Sequence, residues 1–307
     1  MTWGTQAQTT TAEPDTPAFG REYYETQFTN QVSGGRPIRM SLVGKENTTK
    51  TGNALELALK HTDKEIVIFD IDASAENTVL HIAPDAENIR ILSLFDESDD
   101  SIFNADNTTN WLALVDKVKW FASITGKRAK EGEIGAVIFD GASTFMKWCE
   151  FVMTESLLRR GVIREEGDGF NQKEWRERNR LFRDVIGRIH ALPVANVFFT
   201  FHLKDIKEYI DLGNGQKGLS TIGQKVDWVE GTQRYASQQL WLTRYTQKGD
   251  RAAGVKADSS LAEGDWVVKC RVEEMKGRNM EHLGKEYTVL EVTGGKPTWN
   301  GLPFDWL

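Results

Sequence analysis

Short apolar runs alternate with amphipathic stretches along most of this chain, and the runs are apolar on both faces. Ile38-Arg39-Met40-Ser41-Leu42-Val43, Ile66-Val67-Ile68-Phe69, Ile89-Arg90-Ile91-Leu92-Ser93-Leu94, Ala136-Val137-Ile138-Phe139 and residues 196–201 are short and rich in β-branched residues, so they read as strands. Between them, Leu55, Ala58 and Leu59 share one helical face, and Trp111, Leu114, Val115, Val118, Phe121 and Ala122 repeat at helical spacing. Phe182, Val185, Ile186 and Ile189 mark the apolar stripe of a long charged helix that Pro193 ends. A strand with two apolar faces must be covered on both. The alternation therefore predicts an α/β fold with a mostly parallel sheet between helices.

The texture changes near the C-terminus. Residues 239–243, 266–272 and 286–292 read as strands joined by turns, which predicts an antiparallel extension of the sheet. With 307 residues the chain can bury one large core, so a single main domain is expected at 37–295. Residues 1–36 lack sustained periodicity and predict a flexible arm, and 296–307 predict a tail.

No apolar run approaches the ~18 residues a membrane span needs, and no basic-then-apolar leader opens the chain, so a cytosolic protein is expected. Two cysteines, Cys149 and Cys270, suit structural thiols in a reducing compartment. A net charge of -7 excludes a protein that coats nucleic acid over its whole surface. Contact with DNA or RNA would need a local basic patch.

Gly44-Lys45-Glu46-Asn47-Thr48-Thr49-Lys50-Thr51 lies between the first strand and the first helix, where backbone N–H groups and a helix N-terminus can cradle phosphates. Lys50 would reach the β- and γ-phosphates of ATP, and the Thr51 hydroxyl would hold Mg²⁺. Thr49 stands where the phosphate-loop pattern has glycine, and its branched side chain crowds the backbone approach that glycine permits. The competing reading is a polar turn capped by Thr48 or Thr49.

Asp140 closes the strand at 136–139, where it can orient Mg²⁺, since ligand sites of parallel sheets lie at the carboxyl ends of strands. Asp70 and Asp72 follow the second strand. With a period of 2 both would point the same way, Asp72 reaching toward the γ-phosphate to polarise the attacking water. Alternatively the pair caps the next helix, beginning near Ala75.

With these residues in order, 37–295 resembles the RecA-like core P-loop ATPases, and especially compact phage nucleotide-binding AAA proteins and single-strand annealing recombinases. The resemblance implies that Asp72, in Asp70-Ile71-Asp72, is the catalytic carboxylate and that Asp140 belongs to the metal-binding strand end. It implies that His202, in Phe199-Thr200-Phe201-His202, senses the γ-phosphate, although a core histidine fits the residues equally. Asp211-Leu212-Gly213-Asn214-Gly215-Gln216-Lys217-Gly218 matches the Gly-rich DNA-binding loop of such recombinases, or is a plain hairpin turn. Lys276-Gly277-Arg278 resembles the basic pair that completes a neighbouring subunit's ATP site, or is a solvated turn.

The resemblance further implies an ATP-hydrolysing protein that acts on single-stranded DNA in recombination or annealing, assembles into a ring or filament, and works in a host cytoplasm if viral. Two alternatives stay open. One is a packaging or helicase motor, and the other is a nucleotide-binding assembly protein that hydrolyses little.

Overall fold

The computed structural model describes residues 38–165, 169–194, 196–213, 216–251, 253–276 and 280–302, apart from the side chains of 210–213 and 216. The predicted arm at 1–36 and the last five residues of the predicted tail lie outside these. Six strands form the parallel part of the sheet, in the order β7 (Gln238–Thr246), β1 (Ile38–Gly44), β5 (Asn196–Gly213), β4 (Ile134–Asp140), β2 (Glu65–Asp70) and β3 (Ile89–Ser93). Beyond β7 the sheet continues antiparallel through β9 (Trp266–Met275), β10 (Glu286–Thr293) and β11 (Lys296–Trp299). A two-residue strand, β8 (Lys256–Ala257), pairs with the far end of β7. The expected parallel core with an antiparallel extension is the observed fold. Residues 296–299, read from sequence as the start of a tail, form its last strand.

Helices cover both faces. On one side α1 (Lys50–His61) and α2 (Ala75–Ile82) pack through Leu55, Ala58 and Ala75 onto Met40, Leu42, Ile66, Ile68 and Ile138. On the other, α3 (Trp111–Lys130), α4 (Ala142–Arg159) and α5 (Trp175–His190) pack onto Val67, Phe69, Val137, Phe139, Val197 and Phe199. The central strands are thus buried on alternating residues toward two cores, which is why their sequences show no polar face. Helix α4 escaped the periodicity reading. Ala142, Phe145, Met146, Trp148, Cys149, Val152 and Met153 are buried around much of its circumference, and a helix enclosed that way has no single apolar stripe.

β5, at 18 residues, is three times the expected length. After His202 it leaves the parallel sheet and pairs with β6 (Gln216–Val226) as a long antiparallel ribbon, with Gly213 opposite Gln216 at its tip. The segment at 211–218 is therefore the end of a hairpin, of which residues 214 and 215 lie outside the described ones.

Arg39 ties β1 to the connection between α5 and β5. Its guanidinium donates to the carbonyls of His190 at 3.0 Å, Leu192 at 3.2 Å and Val194 at 3.1 Å, satisfying acceptors that the end of α5 leaves over. Lysine has no planar fork with which to span three carbonyls. Arg39→Lys should lower stability by about 1–3 kcal/mol in urea unfolding while leaving nucleotide affinity unchanged, because the contact lies at the opposite end of β1 from Gly44.

Candidate active site

β1 and β5 run in register, Gly44 beside His202, so the carboxyl ends of the parallel strands share one edge of the sheet. The turn after β1 enters α1 through Thr49, which has φ 59° and ψ 28° in the left-handed region. That is the backbone shape glycine supplies in such loops. For a β-branched residue it is strained by about 1–2 kcal/mol. The Asn53 amide braces it, donating to the Thr49 carbonyl at 2.8 Å and to its hydroxyl at 3.1 Å. Neither Thr48 nor Thr49 caps the helix. Thr48 Oγ1 donates to the Lys45 carbonyl, Thr49 Oγ1 to the Thr48 carbonyl, and α1 has no side-chain cap and no acidic residue in its first turn. The leading amides of α1 are left for an anion, as a phosphate-binding turn requires.

The Lys50 ammonium sits inside the loop, donating to the carbonyls of Lys45 at 2.8 Å and Gly44 at 3.3 Å. Burial lowers its pKa, and the charges of Asp140, Asp72 and Glu46 oppose that shift. Two of its three protons are used in this way, which leaves one for a phosphate oxygen.

Asp140, at the end of β4, is 1% exposed. Thr51 Oγ1 donates to its two carboxylate oxygens at 2.9 and 2.8 Å, and Thr200 Oγ1 donates at 2.7 Å. Ser74 Oγ adds a longer contact of 3.4 Å. Burial pushes its pKa up to about 6, partly offset by the Thr200 and Thr51 hydroxyls. A buried hydroxyl–carboxylate pair fits Mg²⁺, a hard cation commonly held by one or two protein oxygens together with water and phosphate.

The two carboxylates at the end of β2 diverge instead of pointing the same way. β2 ends at Asp70, so the period of 2 stops there. Asp70 accepts from the backbone N–H of Ser74 at 3.1 Å and of Ala75 at 3.2 Å, and so caps α2. Asp72 instead turns into the cleft, where its Oδ2 lies 3.3 Å from His202 Nε2. Burial raises the Asp72 pKa, but hydrogen bonds from His202 and Thr144 outweigh it and hold the carboxyl below its usual range. The two sequence readings divide between the residues: one carboxylate caps a helix and the other lines the site.

Gly141 makes this closeness possible. At φ +95° it adopts the left-handed region, and a Cβ there would lie 2.6 Å from Asp72 Oδ1. Its N–H donates to Thr200 Oγ1 at 2.8 Å, so one threonine on β5 bridges the carboxylate and the turn after it. Sequence reading passed over Thr200, Thr144 and Ser74. Thr200 alone left a trace, as the one hydroxyl in Val197-Phe198-Phe199-Thr200-Phe201.

The structure thus gathers Asn47, Thr48, Thr49, Lys50, Thr51, Asp72, Asp140 and His202 around one cleft of about 910 Å³, with Gly44 beside His202 at the end of β1. His202 lines that cleft with its side chain 27% exposed, which is not the setting of a core histidine. Lys276 is elsewhere. It follows Met275, which pairs with Gln238 at the start of β7, whereas Gly44 pairs with Leu242, four residues or about 13 Å further along. Its ammonium lies 3.0 Å from Glu274 and contacts the carbonyls of Gln233 and Ala236, so it cannot serve its own cleft. Arg278 lies outside the described residues.

A carboxylate with a raised folded pKa holds its proton longer in the native state than in the unfolded chain. Its ionisation therefore costs stability as pH rises through about 6. Asp140→Asn should melt higher than the wild type at about pH 8 without Mg²⁺, by an increment on the order of 3 kcal/mol at most, and the gap should narrow below about pH 6 and close toward about pH 4. Thermal melts across that range test this. The same variant should lose the Mg²⁺ dependence of nucleotide binding.

No curated protein matches the chain. Among solved structures, the ATPase from the type III secretion system of pathogenic bacteria aligns at a TM-score of 0.41 and 11% identity, over 68% of this chain and 53% of that one. The chain therefore spans about half the length of that ATPase. Among the described residues no helix is long and apolar enough to cross a membrane. Residues 36–228, which carry the phosphate-binding turn, Asp72, Asp140 and His202, match the AAA domain family. The chain belongs to that family.

Proposed function

We propose that this protein binds and hydrolyses ATP with Mg²⁺, acts on single-stranded DNA in annealing or recombination, and works as an assembly of its own copies. The observation that carries the ATPase part is the convergence of Lys50, Thr51, Asp140 and Asp72 on one cleft. Lys50 and the leading amides of α1 bind the β- and γ-phosphates. Thr51 and Asp140 would hold Mg²⁺, which neutralises charge on the phosphates when bound. Asp72, oriented by His202 and Thr144 and ionised at neutral pH, accepts a hydrogen bond from the attacking water and aligns it with the γ-phosphate. His202 is placed to sense the phosphate and to position Asp72 through the same ring.

Two features support the nucleic-acid part. The outer face of α5 presents Arg176, Arg180 and Arg183 around a shallow groove, and Arg176 and Arg180 make no ion pair among the described residues. This is a local basic patch of the kind an acidic chain needs to meet a polyanion. The β5–β6 ribbon rises from the site itself, with Asp205 at its root paired to Lys45 of the phosphate loop at 2.9 Å. That pair gives the ribbon a contact that can respond to nucleotide.

Hydrolysis measured with and without single-stranded DNA tests the reading. Lys50→Ala should abolish nucleotide binding, Asp72→Asn should retain binding and slow turnover about 10²-fold or more, and DNA should stimulate the wild type with a response that weakens as salt rises. Turnover indifferent to DNA would remove the nucleic-acid part and leave a nucleotide-binding assembly protein. Strand unwinding would mark a motor.

Lys276 and Arg278 remain candidates for a neighbour's site, since Lys276 cannot reach its own. A mixture of Lys50→Ala protein with protein carrying Lys276→Ala and Arg278→Ala should regain activity, because cations supplied in trans contribute ~10³-fold or more to turnover. Full activity of the doubly substituted protein alone would rule the shared site out.

A further inference from the structure

The cleft has two ends of different character. One holds Asp72, Asp140, Thr144 and His202, and the other is walled by Ile82, Trp266, Leu290, Val292, Pro297 and Trp299. Apart from Ile82, every residue of the apolar wall lies beyond residue 228, on the antiparallel strands that follow the family-matched segment. The extension is therefore part of the cleft rather than an appendage to it.

The wall is fixed against the helix that starts the phosphate site. Trp299 Nε1 donates to Glu56 of α1 at 2.7 Å. Gly52, one residue past Thr51, is roofed so closely that an added Cβ would lie 2.9 Å from Ile82 Cδ1 and 3.0 Å from the Trp299 ring. Apolar surface thus begins within one residue of the hydroxyl proposed to hold the metal.

Arg244 stands at the rim. It lies two residues past Leu242, the partner of Gly44, where β7 has outrun β1. Its guanidinium carbon is 4.2 Å from the centroid of Trp266, and its buried Nε has no hydrogen-bond partner. No carboxylate pairs with it among the described residues. A stacked guanidinium with an unsatisfied Nε, on a residue that lines a cleft of nucleotide size, is a recognition element lacking its acceptor.

We propose that the C-terminal extension forms a nucleobase subsite in which a purine of the bound triphosphate packs against the apolar wall, with the Arg244–Trp266 pair as its recognition face. The planar pair offers stacking area, and a bicyclic base uses more of it than a pyrimidine. Arg244 donates to a ring-nitrogen acceptor of the base. This rests on the nucleotide reading of the P-loop, but it assigns Arg244 to the base and not to the phosphates.

Calorimetric titration with ATP and with inorganic tripolyphosphate, both with Mg²⁺, separates the two. Arg244→Ala and Trp266→Ala should each weaken ATP binding about tenfold to a hundredfold and leave tripolyphosphate binding within about twofold of wild type. Wild type should also prefer ATP and GTP to CTP and UTP. Trp266→Phe, which keeps an aromatic face, should recover much of the loss and guards against misfolding of the alanine variant. Equal losses for ATP and tripolyphosphate in Arg244→Ala would make it a phosphate ligand and overturn the proposal, as would unchanged ATP affinity. Lys50→Ala, by contrast, should lose both ligands. Wild type binding neither would sink the nucleotide reading itself.

Discussion

A buried carboxylate with three hydroxyls turned toward it organises the polar part of the cleft. Asp140 ends β4, Thr51 opens α1, Thr200 lies on β5 and Ser74 precedes α2, so four elements meet at one side chain. The carboxyl is nearly excluded from water and its ionisation is resisted by burial. Hydroxyls can satisfy its oxygens without adding charge, and a divalent cation would relieve the remaining cost. A site held this way is tensioned toward its ligand, and stability is given up where binding needs it.

Backbone strain collects at the same place. Thr49 at φ 59°, Ala73 at φ 52° and Gly141 at φ 95° lie in the turns after β1, β2 and β4. Each turn must deliver a polar group to a narrow edge, and left-handed backbone shortens the path. At Gly141 the residue type matches the demand. At Thr49 it does not, and Asn53 supplies the restraint that glycine would have made unnecessary.

The cleft is closed by a part of the chain that the phosphate-binding machinery does not require for its own geometry. Strands β9 to β11 continue the sheet past β7 and bring Trp266 and Trp299 to the mouth of α1. An open parallel sheet leaves its strand ends open, and any specificity beyond phosphate must come from what is added around them. Here the addition is a wall, fastened to Glu56.

The order of elements, the parallel character of the core, the antiparallel end, and the positions of Lys50, Thr51 and Asp140 were all legible in the sequence, because each follows from local periodicity or from residue types fixed by strand ends. Helix α4 was not legible, being buried on most sides, and neither was the ribbon, since nothing in residues 203–210 marks where β5 leaves the sheet. The split between Asp70 and Asp72 needed the exact residue at which β2 stops. Only the tertiary structure could insert β5 between β1 and β4, and with it Thr200 beside Asp140 and His202 beside Asp72. Hydrogen bonding between strands distant in sequence carries no local signature.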